Sequence, residues 1–192
     1  GEHGNLEHRK SLYQEELHIP WLVRWPGVIP SNQRLTEWTG HIDMAPTVLG
    51  LLQLEAPTSW QGRDLSTLLS SQQSSQIAPD LDRPLFAHMV HEDEVAQTIA
   101  VIRKPYKLIM PLDEAGLPSQ PLRLLDLDID PAERQDIDLN NPDQSAEQAA
   151  AKALEQWARH TLEESRASLL LGEAGAMTPA MRDWIREMGY LK

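Results

Sequence analysis

The sequence predicts an α/β protein in two parts, residues 1–78 and residues 79–192. Three observations support this prediction. Short apolar runs separated by turn residues follow residue 84 and are typical of antiparallel strands. A long amphipathic pattern after residue 143 predicts a helix. A Ser- and Gln-rich stretch without periodicity, residues 70–82, predicts a linker between the two parts.

In the first part, residues 11–16 predict a short helix, which ends before Pro20 because Pro lacks a backbone N–H. Residues 21–25 predict a buried strand that a Pro-Gly turn ends. Residues 44–52 carry an apolar helix face, and Asp43 stands where a carboxylate caps a first turn. We therefore interpret Asp43 as a helix cap rather than a metal ligand.

The second part predicts an antiparallel sheet and a long helix. The strands are expected at residues 85–90, 98–103, 106–110 and 122–127. The turn Lys104-Pro105 between two of them favours antiparallel pairing. The long helix is expected from residue 143 to about residue 166, with an apolar stripe of Ala, Leu and Trp. A last helix opens at Thr178-Pro179 and ends at Gly189.

Composition excludes several function classes. The chain has 192 residues, with 17 Lys and Arg against 29 Asp and Glu, and its net charge is -12. Such a surface repels phosphate backbones, so nucleic acid is not an expected partner. The absence of Cys excludes disulfides, thiolate metal sites and a Cys nucleophile within this chain. No apolar run approaches the roughly 18–20 residues of a membrane span. Because the chain opens on Gly1 without a Met or signal-peptide pattern, we expect it to be part of a longer protein.

Two clusters of potential metal ligands have plainer explanations. His88 and His91 are three apart and precede acidic residues 92–94, a set that suits zinc. Residues three apart in a strand point to opposite faces, however, which favours a polar loop edge over metal binding. Asp126, Asp128 and Asp130 resemble the front half of a calcium loop, but the Gly and Glu that such a loop needs are missing. Turn hydrogen bonds, such as those from the carboxylate of Asp130, explain these aspartates better.

The third cluster is the basic N-terminal run, residues 1–10, which holds two His, one Arg and one Lys in an otherwise acidic chain. Concentrated positive charge suits an anionic substrate. A solvated terminal segment is the alternative, and composition does not decide between them.

The order of short motifs resembles the sulfatase family. The first half contains Gly-Glu-His-Gly at 1–4, Ser-Leu-Tyr-Gln-Glu-Glu at 11–16, Trp-Pro-Gly at 25–27, His-Ile-Asp-Met-Ala-Pro-Thr at 41–47 and Gln-Gly-Arg-Asp-Leu at 61–65. The second half contains Pro-Tyr-Lys-Leu-Ile at 105–109, Leu-Leu-Asp-Leu-Asp-Ile-Asp-Pro-Ala-Glu at 124–133 and Met-Gly-Tyr-Leu at 188–191. Each motif is weak alone, but together they cover nearly the whole chain.

The resemblance implies that residues 1–78 form the edge of an alkaline-phosphatase-like catalytic sheet domain. Residues 79–192 would form its smaller α+β C-terminal subdomain, an antiparallel sheet with a long helix. The family uses a divalent cation, usually calcium, and a formylglycine made from the Cys or Ser of C/S-x-P-S-R. Neither that motif nor the aspartate ligands occurs in this chain, so the resemblance places both in a missing N-terminal part.

The resemblance also implies a role for the basic run. In the family, a Lys or His that follows Gly-Glu-His-Gly contacts the sulfate and the leaving group. Counted forward from Gly4 the match falls on His8, whereas counted back from Tyr13 it falls nearer Arg9 or Lys10. His8 and then Lys10 are the predicted catalytic residues. A His at this place can act as a general acid to the departing alcohol near neutral pH.

Sulfuric ester hydrolysis by the complete enzyme is therefore the expected function, with a small-molecule or carbohydrate sulfate ester as substrate. A phosphodiesterase or phosphonate monoester hydrolase of the same superfamily is one alternative, and a non-catalytic binding module is another. The fragment alone is predicted to be inactive, because it needs the missing N-terminal part as its partner. The resemblance favours a periplasmic or extracellular location and leaves the substrate open.

Overall fold

The computed structural model of the protein describes residues 3–4, 11–70, 83–90 and 97–171, with side chains as far as residue 165. Within these ranges lie α1 (Gln14–Leu17), a 3-10 turn (His41–Asp43), α2 (Met44–Leu51), α3 (Ser66–Ser70), β1 (Leu85–Val90), β2 (Gln97–Arg103), β3 (Tyr106–Leu112), β4 (Arg123–Asp126) and α4 (Ser145–Leu171). The chain divides into two compact units, one up to Glu155 and one from Gln156 onwards.

The first unit contains a four-stranded antiparallel sheet in the order β1-β2-β3-β4. Each strand pairs with the next one along the chain, as expected for strands joined by short turns. The central pair is in register from Gln97 opposite Leu112 to Arg103 opposite Tyr106. Only Lys104 and Pro105 separate these two strands, which confirms the predicted turn.

Both faces of the sheet are buried. On one face, Ala100, Ile102, Ile109 and Leu125 form a cluster with Leu12, and Tyr13, Leu17 and Trp38 pack against this cluster. The N-terminal segment therefore covers this face. On the other face, the side chains of Ile99, Val101, Leu108, Met110 and Leu124 are fully buried. Burial on both sides explains why these strands are apolar runs rather than alternating patterns.

The four strands predicted after residue 84 and the long helix are confirmed, with bounds that differ by a few residues. The first turns of α4, in the first unit, contain the buried residues Ala151 and Leu154. Its continuation in the second unit carries an exposed His160–Glu164 pair, four residues apart. In the described part of the chain, no helix is long and apolar enough to cross a membrane. The last predicted helix, at 178–189, lies outside the described residues.

The strand predicted at residues 21–25 is wrong. This segment pairs with no strand in the described ranges, and Leu22 is 89% exposed. Trp and Val give the segment a preference for extended backbone, but a strand also needs a partner edge, which the local sequence does not supply.

The boundary predicted between residues 78 and 79 falls among residues 71–82, which the structure does not describe, and it stays a prediction. An ion pair between Asp43 and Arg83 connects the described residues on the two sides of this boundary.

Candidate functional site

The basic residues that the sequence singles out, His8, Arg9 and Lys10, lie outside the described residues, so their role stays a prediction. The structure does describe the chain on either side of them, at His3–Gly4 and from Ser11 onwards. The candidate site is therefore defined by how those two ends are held.

His3 connects the start of the chain to two other segments. Its ring stacks on the ring of Tyr13, with 3.6 Å between centroids and 6° between planes. Its Nδ1 lies 3.2 Å from the Glu15 carboxylate, and its Nε2 lies 3.1 Å from the backbone oxygen of Glu133. Both partners are acceptors, so both hydrogen bonds form together only when each ring nitrogen carries a proton. We call His3, Tyr13, Glu15 and Glu133 the His3–Tyr13 clamp.

Tyr13 is itself held in place. Its hydroxyl accepts a hydrogen bond from Arg123 Nη1 at 2.7 Å, and the Arg123 guanidinium lies 5.4 Å from the centre of the tyrosine ring. Arg123 also donates two hydrogen bonds to the carboxylate of Asp136, both at 2.9 Å. These bonds from Arg123 to Asp136 hold the pKa of Arg123 above its ordinary value. The ring that stacks on His3 thus has a fixed orientation.

Glu133, a member of the clamp, also forms a buried ion pair with Lys107. Lys107 Nζ donates to Glu133 Oε1 at 2.6 Å, and both side chains are almost completely buried. Burial lowers the pKa of Lys107, while the bond to Glu133 opposes this change. Glu133 Oε2 also accepts the backbone N–H of Gln14, the first residue of α1. One carboxylate therefore joins the sheet to the segment that follows the basic run.

Glu133 is presented by an unusual turn. Its φ is +55°, in the left-handed region that non-glycine residues seldom adopt. The turn is stabilised by the carboxylate of Asp130, which accepts the backbone N–H groups of Arg134 and Gln135 at 2.6 and 2.8 Å. The prediction that Asp130 initiates a turn is confirmed. The turn also brings the backbone oxygen of Glu133 to His3.

The other end of the basic run is anchored in the core. Ser11 is buried and its hydroxyl donates to Glu16 Oε1 at 2.6 Å. Leu12 belongs to the hydrophobic cluster on the sheet. Because Tyr13 follows directly and stacks on His3, the described ends on either side of residues 5–10 are in contact. Residues 5–10 therefore connect two anchored ends.

Asp43 has a different role from the one predicted. Its carboxylate makes no capping bond to α2 and instead accepts the backbone N–H groups of Gly40 and Arg63, at 2.9 and 2.8 Å. It also accepts hydrogen bonds from the guanidinium groups of Arg63 and Arg83, each at 2.9 Å. The predicted cap on α2 is therefore not formed: Asp43 closes a capping box with Gly40 in the preceding 3-10 turn, and its charged partners lie 20 and 40 residues away.

The electrostatics of Asp43 follow from this environment. Its burial is complete, which alone would raise its pKa. The hydrogen bonds from the Arg63 side chain and backbone and from Gly40 outweigh burial and bring the pKa below its ordinary value. Gly62 allows this close packing, since a Cβ there would lie 1.8 Å from the backbone oxygen of Ile42. Asp43 connects three parts of the fold and faces no solvent.

The two remaining clusters behave as ordinary structure where they are described. His88 lies in β1 as predicted, and its Nε2 lies 2.9 Å from Gln97 Oε1, whereas His91 and the acidic residues after it lie outside the described ranges. Asp126 Oδ1 accepts the N–H groups of Asp128 and Ile129 at the end of β4, which confirms turn chemistry there.

The sequence reading missed the Lys107–Glu133 pair as a structural feature. A signal was available: Lys107 interrupts an apolar run of a strand that is buried on both faces, and a buried Lys needs an acidic partner. The identity of that partner, 26 residues away, could not be read from spacing.

A family model and several named relatives connect this chain to the sulfatases. The family model described as "N-sulphoglucosamine sulphohydrolase, C-terminal" matches residues 1–160 of this chain. Mouse arylsulfatase K is 29% identical over 150 residues, which are 74% of this chain and 26% of that protein. Rat steryl-sulfatase is 41% identical over 63 residues, 32% of this chain and 11% of that protein.

A solved structure in complex with its substrate, D-glucosamine-2-N,6-O-disulfate, is similar in fold. Its TM-score is 0.60 at 20% identity, covering 76% of this chain and 28% of that one. The likeness confirms the fold of the described part, an antiparallel four-stranded sheet with a long helix. The chain thus spans about a quarter of the mouse relative and of this structural neighbour.

Proposed function

Since the chain belongs to the N-sulphoglucosamine sulphohydrolase C-terminal family of sulfatases, we propose that the full-length protein hydrolyses sulfate esters. The observation that carries the proposal is the family match over residues 1–160, which includes both ends of the basic run. We further propose a carbohydrate or other small-molecule sulfate ester as substrate, because the structural neighbour binds a sulfated glucosamine.

This chain does not supply the whole reaction. In its described ranges no group of three His, Asp or Glu side chains is arranged to hold a metal ion, so these residues do not fit the divalent cation that sulfatases use. The chain also contains no C/S-x-P-S-R motif whose Cys or Ser could become a formylglycine. In the proposal the nucleophile and the cation belong to the N-terminal part of the full-length protein. The 192 residues alone are accordingly proposed to be inactive.

The proposed contribution of this chain is positive charge at the departing sulfate and its leaving oxygen. His8 donates a proton to the ester oxygen as the S–O bond breaks, and Lys10 stabilises the charge on the sulfate oxygens. The contacts of His3, Tyr13 and Ser11 support this proposal, because they fix the ends of the segment that carries both residues.

The decisive experiment compares two leaving groups in the full-length protein. A general acid is needed most when the leaving group is a poor one, such as a sugar alcohol, and least for nitrophenolate. We expect His8→Ala to lower kcat by about 10²–10⁴-fold on a glucosamine 6-sulfate. The loss on nitrophenyl sulfate should be at least tenfold smaller. Lys10→Ala should lower both rates by the same factor, because both substrates carry the same sulfate oxygens.

Matched controls come from the same chain. His18 is an exposed histidine ten residues beyond His8, and Lys152 is an exposed lysine on α4. Their Ala variants should keep the wild-type rates on both substrates. If His8→Ala affected both substrates equally, the general-acid role would be wrong. If the wild-type protein hydrolysed nitrophenyl phosphonate but no sulfate ester, the proposed function itself would be wrong.

A further inference from the structure

A small surface pocket of about 130 Å³ lies beside the turn between β2 and β3. Its lining includes Trp38, Arg83, Arg103 and Lys104, and one acidic residue, Glu37. Sites that enclose a whole drug-sized ligand are about 300–1,000 Å³. This pocket therefore has room for one charged group and the edge of the ring that carries it.

The charge of the pocket is opposite to that of the chain. The whole chain has a net charge of -12, yet three basic side chains and one acidic side chain line this pocket. The carboxylate behind Arg83 does not cancel this excess, because Asp43 is shared between Arg83 and Arg63. Arg63, Arg83 and Asp43 together carry one net positive charge, and the charge of Lys104 balances that of Glu37, so the pocket keeps a positive excess. A local positive field on an acidic surface selects anions.

Trp38 gives the pocket a second property. Its side chain is half-buried and packs against the hydrophobic cluster of the sheet, so the indole has a firm support. The ammonium group of Lys104 lies 5.1 Å from the centre of its ring. An anionic sugar has an apolar ring face and charged substituents. An aromatic side chain can contact the ring face, and neighbouring cations can bind the charged substituents.

We propose that this pocket is a binding site for an anionic sugar unit, in which Trp38 contacts the sugar ring and Lys104, Arg103 and Arg83 surround its sulfate or carboxylate group. The choice of a sugar rests on the proposed function. The anionic character rests on the pocket alone. The rest of a longer saccharide lies in solvent, because the pocket holds only one charged group.

The test is a binding experiment on the full-length protein, expressed without the formylglycine-generating enzyme so that turnover does not consume the ligand. Isothermal titration with a heparin-derived tetrasaccharide measures Kd for the wild type and for Lys104→Glu. Reversal of one charge in the pocket should weaken binding by about tenfold or more, which is about 1.4 kcal/mol. Lys152→Glu makes the same charge change on an exposed part of α4 and should leave Kd unchanged.

A second variant tests the aromatic contact. Trp38→Phe keeps an apolar ring against the sheet and should weaken binding about threefold or more, because a smaller ring covers less of the sugar. Neutral chitotetraose should bind at least tenfold more weakly than the sulfated ligand. The proposal is overturned if the wild type does not bind the tetrasaccharide, if chitotetraose binds equally well, or if Lys104→Glu behaves like Lys152→Glu. If the mature wild type does not hydrolyse nitrophenyl sulfate, the proposed function is refuted instead, and the measured binding of the tetrasaccharide still stands.

Discussion

Replacing Asp43 with Asn tests whether a buried carboxylate holds the N-terminal segment together. The side chain is fully buried and accepts hydrogen bonds from two backbone N–H groups and two arginines. Asn has the same size but no charge, and one of its two terminal groups is a donor that faces other donors. Asp43→Asn therefore removes the carboxylate charge that the guanidinium groups of Arg63, which is 8% exposed, and Arg83 bind.

Breaking a buried ion pair by removing one partner costs about 3–5 kcal/mol. Each kcal/mol lowers Tm by roughly 2–4 °C in a domain of this size, so the expected loss is roughly 6–20 °C. Thermal unfolding of the full-length protein measures the loss. Hydrogen exchange locates it, because the amides of Gly40 and Arg63 donate to Asp43 and should exchange faster in the variant.

The matched control is Asp136→Asn. Asp136 also forms an ion pair with an arginine through two hydrogen bonds of 2.9 Å, but its side chain is 43% exposed. Exposed pairs contribute about 0–1 kcal/mol, so this variant should melt within a few degrees of the wild type. Equal shifts in Tm for the two variants would refute the argument, because burial would then make no difference to the pair.

The pH dependence gives a second readout for the same residue. The pKa of Asp43 in the folded protein lies below its ordinary value of 3.8. The unfolded chain therefore binds this proton first, and the stability that Asp43 contributes is fully present above that ordinary value. It is lost as pH falls from there through the lower folded-state pKa. Asp43→Asn should flatten this acid part of the stability profile, and a profile unchanged from the wild type would contradict the assignment.

Two further predictions concern the candidate site. Lys107→Met leaves Glu133 buried without its cation and should lower the free energy of unfolding by about 3–5 kcal/mol. The double variant Lys107→Met/Glu133→Gln should recover at least half of that loss in urea unfolding, because no buried charge remains. A double variant less stable than the single variant would contradict this. Tyr13→Ala removes the ring that stacks on His3 and should lower kcat/KM for nitrophenyl sulfate by about tenfold or more. Tyr13→Phe keeps the ring and loses only the hydrogen bond from Arg123, so its kcat/KM should stay within about threefold of the wild-type value. Equal losses of kcat/KM in the two Tyr13 variants would show that stacking on His3 does not support activity.

The sheet and the long helix could be predicted from sequence because their signals are local. Apolar runs bounded by turn residues located all four strands to within about two residues. Residues 21–25 have the same local signal but no partner in the described ranges, so a strand was predicted where none is found. Pairing is a property of the fold and not of the segment.

The candidate site could be predicted only in part, for a similar reason. The family motifs identified the turn at residues 130–133 and the segment around Tyr13, but not that they meet. His3 contacts Glu133 across 130 residues, and Gln14 does so across 119. The role of Asp43 was only partly predicted for the same reason: its capping contact with Gly40 is local, whereas its two arginine partners are 20 and 40 residues away.

The His3–Tyr13 clamp also explains how this segment tolerates a change in length. Counted against the sulfatase motifs, the basic residue falls on His8 from Gly4 but nearer Arg9 or Lys10 from Tyr13. Doubling the length of a loop costs only about 0.6 kcal/mol in closure entropy, so one extra residue between fixed ends costs far less. A one-residue change in the length of residues 5–10 should therefore cost little free energy of folding. The stacked rings of His3 and Tyr13 and the buried carboxylate of Glu133 hold the two ends in this chain whatever lies between them.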